Sequence, residues 1–382
     1  MKRTEHAAAL PWAFAVAGAI SLLAAGALAC NVAEAAVESV NVDGTCVYSS
    51  KAKAKTKSVS GVSYDAKTAT LTLKNLKLTP TNKASKSDGA IYIAAGSSDT
   101  VTVALKGTNS IAAGKAGCYG IRTAGKLKLT GTNLTTTGMG TAIKAHAVTI
   151  GTGTYSFKKC SKAGILATSS IAINGSTDGS VSVTTTTPEQ DTAIAATSGS
   201  VSNHYKRLGT IKGKLGTGCT YNHSGSTYQV TAPDTVKLVS YGGTTQANTR
   251  TDTYGKNTYN VQEICAGAFS TQQGAKVTKI VLGPNLRVIG KEAFKGTEHL
   301  TNLNISSWLS GLVGSLEISP DAISKRFGTA DIKIDSKAFA GMGELAGFNL
   351  AVHSGIKQKQ VNLAIKAALT LRGLPLLAQV TK

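Results

Sequence analysis

Apolar positions along this chain alternate with Thr, Ser, Lys or Asn over short runs, and the runs recur. Ala90-Ile91, Gly120-Ile121, Ala142-Ile143, Gly164-Ile165 and Ala193-Ile194 each place an isoleucine behind a small residue. Ile121, Ile143 and Ile165 lie 22 residues apart, twice in succession. Ile121 is followed by Leu127-Lys128-Leu129 and Gly131-Thr132-Asn133-Leu134. Ile143 is followed by Val148-Thr149-Ile150 and Gly153-Thr154-Tyr155-Ser156-Phe157. Ile165 is followed by Ile171-Ala172-Ile173 and Gly179-Ser180-Val181-Ser182-Val183. Alternation with period two puts one set of side chains inside and the other outside. Three short strands per repeat, with a Gly, Ser, Thr or Asn corner after each, predict one coil of a parallel β-helix. Stacked coils then fill the core with Ile, Leu and Val ladders. A 22-residue coil at about 3.3 Å per residue has a perimeter of roughly 70 Å, suited to a tube filled by side chains. The intervals Ile91 to Ile121 and Ile165 to Ile194 are longer, 30 and 29 residues, and predict loops on the coil. A leucine-rich repeat shares this period, but its L-x-x-L-x-L-x-x-N line is absent between residues 60 and 200. No sustained helical pattern runs there either.

A second repeat begins after a Gly-, Thr- and Lys-rich stretch near 206–226. Ile264-Cys265-Ala266-Gly267-Ala268-Phe269 matches Ile289-Gly290-Lys291-Glu292-Ala293-Phe294, and Ile334-Asp335-Ser336-Lys337-Ala338-Phe339 repeats it. Val277, Ile280 and Leu282 match Leu300, Leu303 and Ile305, then Leu345, Phe348 and Leu350. The pattern reads as a phenylalanine turn under a short strand. The span 306–333, around Trp308 and Pro320, departs from it as one degenerate repeat or an insertion. Val361, Ile365, Ala368 and Leu369 form one helical stripe, stopped by Gly373 and Pro375, so 357–371 is expected to be a helix capping the solenoid end.

These residues carry two resemblances. The phrase I-x-x-x-A-F followed by L-x-x-L-x-I is similar to the BspA-type leucine-rich repeats of bacterial surface proteins. That resemblance covers 258–350 and implies recognition of host or neighbouring-cell proteins without chemistry. Residues 60–205, through their G/A-I-x-x and G-T-x-x-hydrophobic phrases, resemble the β-helical carbohydrate-binding domain-containing proteins secreted by gut bacteria. This second resemblance implies a glycan-related surface role. The expected fold is mainly β, a parallel β-helix followed by a short leucine-rich-repeat solenoid with a C-terminal capping helix. The domains are a signal peptide (1–35), the β-helix (36–205), a β-rich junction (206–257) and the leucine-rich-repeat domain (258–382).

The signal reading rests on Lys2 and Arg3, the apolar run from Leu10 to Leu28, and the A-x-A sites Ala27-Leu28-Ala29 and Ala33-Glu34-Ala35. A retained membrane anchor and lipid attachment at Cys30 are its competitors. The expected location is secreted or cell-surface, touching a membrane only through the export signal or a lipid on Cys30. Net charge is +21, which suits anionic glycans or cell-wall polymers. The basic residues are scattered, with no arginine cluster interleaved with aromatics, so no specific nucleic-acid site is expected. Lys51, Lys53, Lys55 and Lys57 alternate; on a strand they form one cationic face or a solvated edge. Cys30, Cys46, Cys118, Cys160, Cys219 and Cys265 contain no C-x-x-C, and their spacings suit neither a zinc site nor a Cys118–Cys160 disulfide across two coils. Mostly buried thiols are expected.

Glycosidases need paired carboxylates, and calcium-assisted lyases need several acidic oxygens together. Residues 61–203 hold Asp65, Asp88, Asp99, Asp178, Glu189 and Asp191, at no common phase of the repeat. No catalytic, cofactor or metal residues are therefore assigned, and His146 is read as a surface or packed histidine. Tyr119, Arg122 and Lys144 flank the Ile121 and Ile143 rungs and are the candidate ligand contacts, with Trp308 in the second repeat. The favoured role is non-catalytic adhesion or recognition. Its rivals are a polysaccharide lyase or glycoside hydrolase on the same scaffold, and a structural spacer.

Overall fold

The structure, a computed structural model, describes residues 37–51, 53–80, 89–113, 117–174, 179–300, 302–304 and 333–334. The export segment 1–35 with Cys30, Trp308, the third phenylalanine phrase at 338–339 and the helix expected over 357–371 lie outside the described residues.

The isoleucine phrase builds the spine. Ile91 pairs with Ile121, Ile121 with Ile143, Ile143 with Ile165, Ile165 with Ile194, and Ile194 with Leu215, all between parallel strands. Every member of this column is at most 2% exposed. A second column runs Leu71, Val103, Leu129, Ile150, Ile173. A third runs Leu78, Ile111, Thr136, Phe157, Val183, Ile211. Three parallel columns on three sides of one core make a β-solenoid. Parallel pairing and burial on the inner side explain why β-branched residues dominate the inward positions.

The predicted three short strands per coil are partly fused. Thr141–Ile150 and Ala163–Ile173 each serve two sides of the coil, with a register shift between Ala145 and Ala147 where the strand turns the corner. The small residue before each isoleucine has a steric reason. A Cβ on Gly120 meets the Ala142 carbonyl oxygen at 2.5 Å, and one on Gly164 runs into Val183 Cγ1 and the Ala193 carbonyl. The coils are stacked closely there, so Gly120 and Gly164 leave no room even for a methyl group, and Ala90, Ala142 and Ala193 hold the same position with the smallest side chain.

Both ends of this stack depart from the simple repeat. At the N-terminal end, Ser39–Val42 pairs antiparallel with Ile91–Ala94 and with Thr45–Ser49, and Val62–Asp65 pairs antiparallel with Thr70–Lys74. These hairpins cover an edge that open parallel strands would leave bare. Lys51, Lys53, Lys55 and Lys57 sit in the connecting loop and all are exposed. The strand considered for them is not formed, because alternating Ala and Thr partners supply no apolar face to bury. At the other end the ladder continues past residue 205 through Leu208–Lys212 and Lys214–Leu215, because Ile211 and Leu215 extend the buried columns.

The second solenoid starts from an antiparallel meander, Thr220–His223, Ser226–Ala232 and Thr235–Ser240. It then becomes parallel: Leu238, Ile264, Ile289 and Ile334 form one column, and Ala247, Ile280 and Leu303 another. Ile334 pairs directly with Ile289, so the 45-residue spacing is a single step of this ladder; residues 306–332 of the departing span lie outside the described residues. The phenylalanine phrases stack as rings. Tyr241 lies on Phe269 with centroids 4.7 Å apart, and Phe269 on Phe294 at 5.3 Å. Tyr241 N–H donates to the Ala268 carbonyl and Phe269 N–H to that of Ala293. An aromatic seam joins the two solenoids. Tyr221 is fully buried and packs on Tyr254 at 4.3 Å, Tyr228 at 5.6 Å and Tyr259 at 5.9 Å. The Tyr259 hydroxyl accepts from Leu215 N–H at 3.3 Å, tying the last coil of the first ladder to the second. The chain is thus a mainly β, solenoid-like repeat protein.

Candidate functional site

The residue after each repeated isoleucine points away from the core, because alternate side chains leave a strand on opposite faces. These positions form an outward column on neighbouring strands, Tyr92, Arg122, Lys144, Leu166 and Ala195, which Asn41 of the antiparallel capping strand extends. All six are partly exposed. Tyr119 starts the strand that carries Arg122. The Arg122 guanidinium carbon lies 5.0 Å from the centre of the Tyr119 ring, and Lys144 Nζ lies 5.3 Å from it. The structure therefore brings Tyr119, Arg122 and Lys144 into one cluster. It also adds Tyr92, which pairs directly with Arg122. The sequence carried the signal for Tyr92: it follows Ala90-Ile91 as Arg122 follows Gly120-Ile121. The 30-residue interval after Ile91 hid the equivalence.

The acidic side chains of the first solenoid do a different job. Asp65 accepts from Lys67 N–H at 3.0 Å and from the Thr68 hydroxyl at 2.8 Å. The Thr68 bond, then the Lys67 bond, holds its carboxyl below the ordinary value. Asp99 accepts from Gly96 N–H at 2.8 Å, and Asp191 from Thr187 N–H at 2.7 Å. Each is a turn-forming aspartate bonding its own loop. Glu189 lies 3.5 Å from Lys256. Asp88 and Asp178 lie outside the described residues. His146 Nδ1 is 3.1 Å from the Thr168 hydroxyl of the next coil, a stacking contact at a corner.

One polar cluster went unread in the sequence. Asp252 is buried, accepts from the Tyr221 hydroxyl at 2.9 Å and lies 2.8 Å from His223 Nδ1. Burial first, then the Asp252 charge, pushes the Tyr221 hydroxyl far up from its ordinary value. It remains a donor to the carboxylate, and the cluster serves the seam.

Of the five described cysteines, Cys118, Cys160 and Cys219 are buried and Cys46 and Cys265 half-buried. Burial pushes the Cys160 and Cys219 thiols up to about 12 and, with Glu263 nearby, that of Cys265 to about 11. Thiols raised in this way are not poised nucleophiles.

The second ladder also has an outward side, and here comparison with known proteins contributes. A family model for a BspA type leucine rich repeat region matches residues 219–315 and 247–352, with 6 copies in all. The chain contains a BspA-type leucine-rich repeat region. This region starts at Cys219, within the seam, and so takes in the antiparallel meander and Tyr241 as well as the Phe269 and Phe294 phrases. No curated protein and no solved structure was found to match the chain.

Proposed function

We propose that this chain is a non-catalytic recognition protein, exported and held at or released from the cell surface. In this reading the first solenoid binds glycans and the leucine-rich repeats bind protein. The observation that carries it is the BspA-type repeat region following a first ladder whose outward column holds Tyr92, Arg122 and Lys144. Long ladders present extended surfaces with many weakly constrained outward positions, the format in which repeat proteins bind partners. The carbohydrate-binding resemblance of 60–205 and the export signal over 1–35 belong to the same proposal.

A glycan array probed with the full exported chain at low and high salt tests the first half. Reproducible glycan hits are expected, and an empty array at both salts would leave the spacer reading in place. The rival lyase or hydrolase needs two cooperating carboxylates. The turn-forming roles of Asp65, Asp99 and Asp191 argue against it. Release of unsaturated or reducing ends from polygalacturonate by the purified chain would reinstate it.

A further inference from the structure

We propose that the Tyr92–Arg122–Lys144 strip binds the acid groups, carboxylate or sulfate, of a linear anionic polysaccharide lying across the coils. The inference rests on the glycan reading above and narrows it to one ligand chemistry. Arg122 and Lys144 are direct partners on adjacent parallel strands, which lie about 4.8 Å apart. Like charges placed opposite each other on a ladder repel and destabilise it. The Tyr119 ring, within reach of both cations, offsets part of that cost. Among the described residues no carboxylate pairs with either cation. The three ion pairs among the described residues are His223–Asp252, Lys256–Glu189 and Lys295–Glu292. A paired cation site with no internal anion is completed by an external one.

The neighbouring positions define the class of molecule. Both cations face the Tyr119 ring, so Tyr119 holds them in place and the ring left for a sugar is Tyr92, one strand beyond Arg122. Asn41 follows Tyr92 on the next strand and adds an amide. The order amide, aromatic ring, guanidinium, ammonium gives hydroxyl, sugar face and acid contacts in one row. Arg122 offers a planar bidentate fork and Lys144 a point charge. The row crosses the strands, so an extended polymer meets one contact per coil. A membrane is disfavoured, because Val239 is the only exposed large hydrophobic side chain among the described residues.

The test is affinity electrophoresis or biolayer interferometry of the full exported chain against five probes. These are polygalacturonate (carboxylate), dextran sulfate (sulfate), neutral dextran, and single-stranded RNA with anionic phosphatidylglycerol vesicles as the non-sugar arm. Arg122→Gln with Lys144→Gln is compared with Lys126→Gln with Lys128→Gln, which removes the same charge from exposed positions on a different side of the coil. Both variants are checked for an unchanged thermal midpoint, and single Arg122→Lys reports on the fork if the double variant misfolds. We expect binding to at least one acidic polysaccharide. We expect the first pair to weaken it by at least roughly tenfold, as loss of charge-assisted contacts does, and the control pair to change it less than about threefold. Polygalacturonate against dextran sulfate then assigns the acid group. Equal losses from the two pairs would show attraction to net charge alone and overturn the inference. Binding of neutral glycans with none of acidic ones would overturn it while leaving the glycan reading intact. Tighter binding of RNA or vesicles would replace the ligand class, and no glycan binding at all would remove both readings.

Discussion

Single residues in the core show how little tolerance a stacked ladder has. Asn109 is fully buried and bridges three coils. Its Oδ1 accepts from Leu76 N–H at 2.9 Å, and its Nδ2 donates to the Lys106 and Asn133 carbonyls at 3.3 Å. Asn109→Ala strands the buried Leu76 N–H and removes the other two bonds, and a loss of about 2–3 kcal/mol is expected from chemical denaturation. Thr136 is the converse case. It occupies a column position between Ile111 and Phe157, is fully buried, and its hydroxyl has no hydrogen-bond partner. Thr136→Val keeps the shape and removes the orphaned hydroxyl, so a gain of about 1 kcal/mol is expected in the same assay. Thiol chemistry gives a third check. With burial pushing Cys160 and Cys219 up to about 12, neither is deprotonated at neutral pH. Iodoacetamide followed by peptide mass mapping is expected to leave both unlabelled in the native chain at pH 7.5 and to label both after denaturation. Native labelling of either would mean a looser core.

At the scale of elements, what was legible in the sequence is what repeats with a fixed period. Ile121, Ile143 and Ile165 announced the first column, and the Ala-Phe phrases announced the aromatic stack. Features that break the period were not visible. The capping hairpin that lays Val42 and Val40 antiparallel against Ile91 and Ile93 has no counterpart in later coils, so no repeat reports it. Tyr241 takes the phenylalanine position one coil early with a different spacing from Leu238 than Phe269 has from Ile264. Its stacking on Phe269 arises from tertiary contact alone. The continuation to Leu215 was hidden because the final coil runs through Gly-rich text that reads locally as a linker. The ligand strip was half legible: Arg122 and Lys144 stood out by charge, whereas Tyr92 needed the column register. The Asp252 cluster was illegible, since Tyr221 and Asp252 are distant in sequence and meet only when two hairpins pack. The close fit before each isoleucine belongs to this scale as well. Gly164→Val forces a branched side chain against Val183 and the Ala193 carbonyl. It is expected to cost about 2–3 kcal/mol, read as a lowered thermal midpoint, whereas a neutral outcome would mean the coils are not stacked at that contact.

At the largest scale, the described residues form two ladders of different side-chain composition joined by buried tyrosines. The first is aliphatic; the second stacks aromatic rings. In a solenoid each coil is stabilised chiefly by its neighbours, so the seam decides whether the ladders melt together. The buried Tyr221 and the Tyr259 hydroxyl bond to Leu215 provide that coupling, and the native chain is expected to show one cooperative transition. The side chains that seal this seam and those of the proposed ligand strip do not overlap. Outward positions can therefore vary on a scaffold whose stability resides in inward columns. The most direct test of that scaffold is pairwise crosslinking across the first ladder. Leu166 and Ala195 are outward partners on adjacent parallel strands, within the separation a disulfide needs. The double substitution Leu166→Cys with Ala195→Cys is predicted to crosslink under mild oxidation, identified by mass spectrometry of the linked peptides. Leu166→Cys with Thr149→Cys, on a different side of the coil, is predicted not to. Crosslinking of the second pair but not the first would contradict the stacked register on which the account stands.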